Sequence, residues 1–437
     1  MQLMPSTRYP HLPRVLVHAE VLYPRLEAAL HWAFTSVLGL GWQWEGDAAD
    51  FATSDATWKL QYGGSPICGH WIRPSGLLAG RERTEFPPET EGTSSGDILA
   101  LIFWMASRME EHTGRERRDG HGRFDPEGSH PLSKGWLERP ICEVWAFSLG
   151  THVLGEDWAA HEERLLAEYR VCPTLDVDSA FAYRGKGVFR TTAAWARDVL
   201  TGNWSQSVRR IRTSVGRTND PYDTYSRAAE WHEELGLSAR WFFLLAQFGA
   251  HDKGLPSSSA ALRNLMRSLE QAHAGSVQWH PGYAAASDAT RLAKEYQTFR
   301  EIMGHNAVAS RQHYLKMIPN TTRRALLDLG IQEDHTEGHA VTTGFRGGFS
   351  RPRPWYDLDK EALTPLMIHP FAAMDATLCR YMGLVPAEVP HQVKQLAVHV
   401  KEVGGTLSLL WHNESLSSMN EWSGWDDVYP NVLKAVL

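Results

Sequence analysis

From Tyr169 onward, short apolar runs alternate with helical stretches, and nearly every run ends on a carboxylate, a guanidinium or an imidazole. Strand and helix patterns in alternation predict parallel strands joined by crossovers. The candidate strands are "YRVCPTLDVD", "ARWFFLLAQF", "SVQWHP", "AVASRQH", "GIQEDH", "PLMIHPF" and "GTLSLLWHN". Their polar ends are Asp176 and Asp178, His280, Arg311 and His313, Asp334, His369 and His412. In a barrel of parallel strands such ends meet on one face, where the loops build active sites. In "TLDVD" a single valine separates two acids, so in a strand both project from one face. Two carboxylates so close stay ionised cheaply only beside a cation, and converging histidines are the usual nitrogen ligands of zinc and related divalent metals. The pattern predicts a divalent metal centre, zinc first among the candidates. One acid would ligate and the other act as base, the division of labour of metal hydrolases.

A chain of 437 residues suggests two domains. The sequence ahead of the alternating part is mixed: "RLEAALHWAFTSVLG" has helical spacing, "TWKLQYGG" reads as a strand, and "SGDILALIFWMASRMEEH" reads as a helix with Asp97 as N-cap. The polar stretch "EDWAAHEERLLAEYR" reads as a connector. The expected division is an N-terminal α/β domain over 1–165 and a (β/α) barrel over 166–437, with a helical insertion at about 184–235 that forms part of a lid. The glycine-rich "GFRGGFSRPRPWYD" reads as a loop over the barrel mouth.

Several function classes lose support on composition. The net charge is -7 and the basic clusters "GRERRDGHGR" and "VRRIRTSVGR" are short and interrupted, which speaks against nucleic acid as a partner. The four cysteines are far apart with no C-x-x-C spacing, so neither a cysteine zinc site nor a disulfide framework is expected. No run approaches a membrane span and the N-terminal sequence lacks an export-signal pattern, so a cytoplasmic protein is the expectation. No G-x-S-x-G elbow, Walker loop or dinucleotide fingerprint occurs.

The motifs "TLDVD", "WHPGY", "SRQH", "EDH" and "LLWHN", in that order, resemble those of the polysaccharide deacetylases, the NodB-homology carbohydrate esterases with a distorted (β/α) barrel. The resemblance covers about 170 to 437. It is closest to a divergent bacterial branch with a domain in front, whose "HGRFDPEGS" and "GWLERPI" patterns also occur. It implies metal-dependent removal of an N-acetyl or other N-acyl group from an amino sugar, with an N-acetylated saccharide or glycoconjugate as partner. By residue, it implies Asp176 as base, Asp178 and His280 as metal ligands, and Arg311 as the arginine positioning the base. Asp334 corresponds to the fourth-motif aspartate and His412 to the general acid. The chain departs from the family pattern at two places: the second metal histidine is replaced by Ala284, and the third motif carries His313 in place of proline. His313 is the expected third ligand, with His251, Asp252 and His369 as rivals.

Plainer readings stand beside these. Asp176 and Asp178 could cap a turn, His280 could make a loop hydrogen bond, His313 could be a packed histidine, and Arg311 could pair with Asp334. Tyr283 and Trp411 could stack on sugar faces and His369 could line the site, although tryptophans at such positions more often belong to the core. Two competing functions remain open: a hydrolase of the same fold acting on a non-sugar amide or an ester, and a degenerate barrel that only binds glycan.

Overall fold

The computed structural model describes residues 12–80 and 96–437. The first eleven residues, on which the export-signal expectation partly rested, lie outside them. Thirteen strands are present among the described residues: β1 Arg14–His18, β2 Gly41–Glu45, β3 Trp58–Tyr62, β4 His70–Ile72, β5 Arg170–Val177, β6 Arg240–Leu244, β7 Val277–His280, β8 Ala309–Ser310, β9 Glu333–Asp334, β10 Arg353–Asp357, β11 Ala362–Ile368, β12 Ala373–Met374 and β13 Thr406–His412.

The chain divides into two units. The first takes residues 1–170 and also 337–372 and 395–407, so it is not one continuous stretch ending at 165. Its sheet runs β2-β1-β3-β4 with parallel pairing throughout. The helix Ile98–Ala106 is capped as its sequence suggests, the Asp97 carboxylate accepting from Ala100 N–H at 3.0 Å. The stretch read as a connector is helical over Trp158–Leu166. Its buried residues, Trp158, His161 and Leu165, lie on one helical stripe, so its polarity is that of an amphipathic helix's outer face.

Buried ion pairs tie the returning segment into this unit. Glu143 accepts from the backbone N–H groups of Ser350 and Arg351 at 2.6 and 2.7 Å and pairs with the Arg351 guanidinium at 2.8 Å. Within the same segment, β10 and β11 form an antiparallel hairpin. The run "PLMIHPF" supplies the end of strand β11 as expected, paired antiparallel with β10, and one sequence expectation changes: the second half of "GFRGGFSRPRPWYD" is strand β10, not loop. An apolar run shows strand propensity but carries no mark of its partner or its direction.

The second unit comprises 171–336, 373–394 and 408–437. Its strands take the positions β9-β8-β7-β6-β5-β13-β12 in a nine-stranded sheet whose full order is β10-β11-β9-β8-β7-β6-β5-β13-β12. Pairing is parallel at every junction from β5 to β9 and between β12 and β13. This is an α/β architecture with parallel strands, and no ladder closes it into a barrel among the described residues. The sequence of β5 fits a strand covered on both faces, since residues Thr174 to Val177 are all buried. Pro173, which has no N–H to give, precedes the residues that pair with β6, and the ladder starts at Thr174. The insertion between β5 and β6 is helical as expected, over Val188–Leu200, Trp204–Ser214 and Tyr225–Glu234. Asp220 holds its start, accepting from the N–H groups of Ala182, Tyr183 and Arg184 at 2.7, 2.8 and 3.0 Å.

Candidate metal centre

Parallel pairing through β6 sets the ends of β5, β7 and β8 along one edge of the sheet, and the side chains that follow from those ends converge. Asp178, one residue past β5, faces His280 at the end of β7 and His313, three residues past β8. His280 Nε2 lies 3.2 Å from Asp178 Oδ1, and His313 Nε2 lies 3.2 Å from Asp178 Oδ2. One ligand atom from each of the three residues falls within 4.8 Å of the others.

The second nitrogen of each ring is engaged. The Nδ1–H of His280 donates to the carbonyl oxygen of Arg311, and that of His313 donates to Asp252 Oδ1 at 2.8 Å. These bonds turn the Nε2 of both rings toward Asp178, the arrangement that metal-ligating histidines show. Asp178 Oδ1 is buried without a well-formed hydrogen bond, so it keeps accepting capacity of its own. The donor set, two imidazoles and one carboxylate, suits zinc and neighbouring divalent ions.

Electrostatics favour the same set. Burial opposes ionisation of Asp178, but the charge of His313 and the close approach of both histidine Nε2 atoms hold its carboxyl well below the usual range. Burial likewise opposes protonation of His313, yet Asp178 and Asp252 together hold its pKa up to about 9. The cluster therefore carries a strong local negative field that a proton fills in the metal-free chain and that a divalent cation can fill in its place.

Asp176 lies on β5 and is buried. Its Oδ1 accepts from Arg311 Nη1 at 2.7 Å, and its Oδ2 is 3.8 Å from His280 Nε2. Arg311 is fully buried and its other groups are also engaged: Nη2 donates to Thr174 Oγ1 at 2.8 Å and Nε to the His335 carbonyl at 2.9 Å. The alternative pairing of Arg311 with Asp334 gives way to two separate pairs, Arg311 with Asp176 and Asp334 with Arg323 Nε at 2.8 Å. Asp334 also accepts from Thr336 N–H at 2.9 Å and is fully buried at the end of β9.

His412 ends β13 on the other side of β5 in the strand order. Its Nδ1–H donates to Asp375 Oδ1 at 2.7 Å, and its backbone N–H donates to Asp375 Oδ2 at 2.7 Å. Its Nε2 is 3.9 Å from Asp178 Oδ2. Burial would favour the neutral ring, but Asp375, reinforced by Asp178 and Asp176, holds its pKa up to about 10. The first carboxylate that keeps this histidine charged is therefore Asp375, which follows β12.

The other candidates are placed elsewhere. Trp411 is fully buried against Tyr429 and offers no face to a ligand. Tyr283 is half-buried and stacks on His251 with ring centroids 4.0 Å apart, which also accounts for His251. His369 belongs to the first unit. Ala284 precedes the short helical turn Ala285–Ser287 and contributes no donor atom. Two residues act in roles the sequence reading did not give them: Asp375 stands behind His412, and Asp252, a rival for the third ligand position, stands behind His313. Their only signal is an acid shortly after a strand, in "AAMD" and "FGAHD".

Comparison with known proteins adds little to this geometry. A model of a family of unknown function, DUF7033, matches residues 15–158. No curated protein matches the chain. Among solved structures, the chain is similar to a protein described as a "putative polysaccharide deacetylase from Mycobacterium smegmatis", at 14% identity and a TM-score of 0.40, over 62% of this chain and 84% of that one. It is also similar to a GH57-type branching enzyme from the hyperthermophilic archaeon Pyrococcus horikoshii, at 10% identity and a TM-score of 0.31, over 61% of this chain and 67% of that one.

Proposed function

We propose that the chain is a metal-dependent hydrolase that removes an N-acyl group, N-acetyl first among them, from an amino sugar in a glycan or glycoconjugate, on a polysaccharide-deacetylase type of barrel. The observation that carries this reading is the convergence of three groups: the Asp178, His280 and His313 ligand set, Asp176 held by Arg311, and His412 held by Asp375. A binding relic has no use for all three together. The order of the sequence motifs supports a sugar substrate.

Asp178, His280 and His313 would hold the ion, zinc being the natural choice for two imidazoles and a carboxylate. Such an ion supplies Lewis-acid polarisation of the acyl carbonyl and acidifies water in the site. The remaining work belongs to side chains. Asp176 is anchored through one oxygen by Arg311, which leaves the other to take a proton from water as the water oxygen bonds to the acyl carbon. His412, with Nδ1–H committed to Asp375, carries its transferable proton on Nε2 and delivers it to the amine nitrogen as the C–N bond breaks. The products are a free amine and a carboxylic acid, and the two protons balance.

Acetate release from a panel of N-acetylated oligosaccharides, N-acetylated amino acids and acetyl esters tests the reading. The expected result is release from the sugars that a chelator abolishes and added metal restores, with short or conjugated saccharides preferred over insoluble polymer. Release from amino acids or esters alone would move the substrate class. A chain without either bound metal or acetate release would be a binding module.

A further inference from the structure

The helices Val188–Leu200 and Trp204–Ser214 in the second unit are amphipathic in the reverse of the usual sense. In the second of them, Trp204, Val208 and Ile211, followed by Val215 just past its end, recur at i, i+4, i+7 and i+11 and so form one stripe. A stripe of this kind normally faces a core. Here its members are 48 to 64% exposed, and the buried residues are the polar Ser207, Arg210 and Thr213. The first helix repeats the arrangement: Val188, Phe189 and Leu200 are 82 to 86% exposed, while Asp198 is buried and pairs with Arg210 at 2.7 Å. A buried ion pair thus joins the two helices on the inside, and the apolar surface is turned out.

The charge around this surface is equally uneven. Residues 184–219 contain eight lysines and arginines and one aspartate, within a chain whose net charge is -7. Arg209 and Arg212 are exposed along one side of the stripe, and Arg197 and Arg217 are exposed as well. Contiguous exposed apolar surface marks an interaction site. An apolar stripe with tryptophan and phenylalanine, bordered by arginines whose stems can reach upward, has the composition of helices that lie in the boundary of a bilayer. A second copy of the chain would bring two such positive surfaces together, which works against self-association.

We propose that these two helices form a docking surface for an anionic lipid bilayer. The surface reaches toward the catalytic side of its own unit. Phe248 is 58% exposed beneath the Arg190 guanidinium, 4.0 Å from its ring centroid, and Arg190 donates to the Gly254 carbonyl at 3.0 Å. The loop between them carries Asp252, the residue that holds His313. A docked chain would meet an acylated amino sugar borne on a lipid. That consequence rests on the proposed function, whereas docking itself does not.

Cosedimentation of the full chain with vesicles of phosphatidylglycerol and phosphatidylcholine, against phosphatidylcholine alone, tests the surface. The parent is expected to bind the anionic vesicles and to be released by salt. The variant Phe189→Ser with Trp204→Ser and, separately, Arg209→Glu with Arg212→Glu should each bind about tenfold more weakly or less. Both should keep the parent's circular dichroism and its turnover of a soluble substrate. Absence of parent binding to anionic vesicles, or unchanged binding by both variants, would overturn the proposal. So would a parent oligomer that the apolar substitutions convert to monomer, since that assigns the face to a second copy. Vesicle binding without hydrolysis of any substrate would leave the docking surface standing and remove the hydrolase reading.

Discussion

Replacing Asp176 by asparagine is expected to leave the metal content of the protein unchanged and to lower turnover by about 10²-fold or more, the typical worth of general-base catalysis. The ligand set does not include Asp176, whose Oδ1 is bound to Arg311 and whose Oδ2 stands 3.8 Å from His280. Asparagine keeps the shape and can still accept from Arg311 through its amide oxygen, but its nitrogen cannot take a proton from water. The substitution also leaves the buried Arg311 without its counter-charge, so some loss of fold stability accompanies the loss of rate. Thermal unfolding separates the two effects, because kcat is read well below the melting transition. Near-normal kcat in the variant would show that the first acid of "TLDVD" is structural.

The second large effect concerns the acid. Burial favours the neutral ring of His412, but Asp375, with Asp178 and Asp176 beside it, holds its pKa up to about 10. The charged form is the one that donates, so rate is retained below that pKa and lost as pH rises through it. Asp375→Asn removes the larger part of the compensation. The pKa of His412 must then fall, and the alkaline limb of the kcat profile should move to lower pH by more than about one unit. His412→Ala should remove that limb altogether and lower kcat by roughly 10²-fold or more. A bound cation near Asp178 would pull the limb the same way in parent and variant, so the comparison between them is the informative quantity. Superimposable profiles for the parent and Asp375→Asn would rule out His412 as the acid tuned by Asp375.

Sequence reasoning reached the residues whose position follows from strand geometry. Asp176, Asp178, His280 and Arg311 sit at or just past the ends of strands that pair in parallel, so the strand-end rule gathers them. It failed where a residue's place depends on the path of a loop. Asp252 and Asp375 reach the site from turns after β6 and β12, and β12 is only two residues long, too short to leave an alternating pattern. Asp334 sits at a strand end, yet Arg323 from the helix Thr321–Asp328 claims it, and nothing in "GIQEDH" shows that competitor. Trp411 stayed open between a sugar platform and the core for a different reason: strands covered on both faces have no outward side, so alternation cannot tell a core ring from an exposed one. The membership of 337–372 in the first unit was equally hidden, since it depends on pairs such as Glu143 with Arg351, 208 residues apart. The stripe of the helix Trp204–Ser214 was readable in the sequence, but its outward orientation was not, because the buried partner of that helix is an ion pair rather than a core.

The central claim is that Asp178, His280 and His313 hold one catalytic metal ion. Elemental analysis of the parent and of His313→Ala after equilibration with zinc and removal of free metal tests it most directly. The account predicts close to one ion per chain in the parent and a small fraction of that in His313→Ala, with circular dichroism unchanged, because two protein ligands make a poor site. A full equivalent of zinc retained by the His313→Ala chain would contradict it.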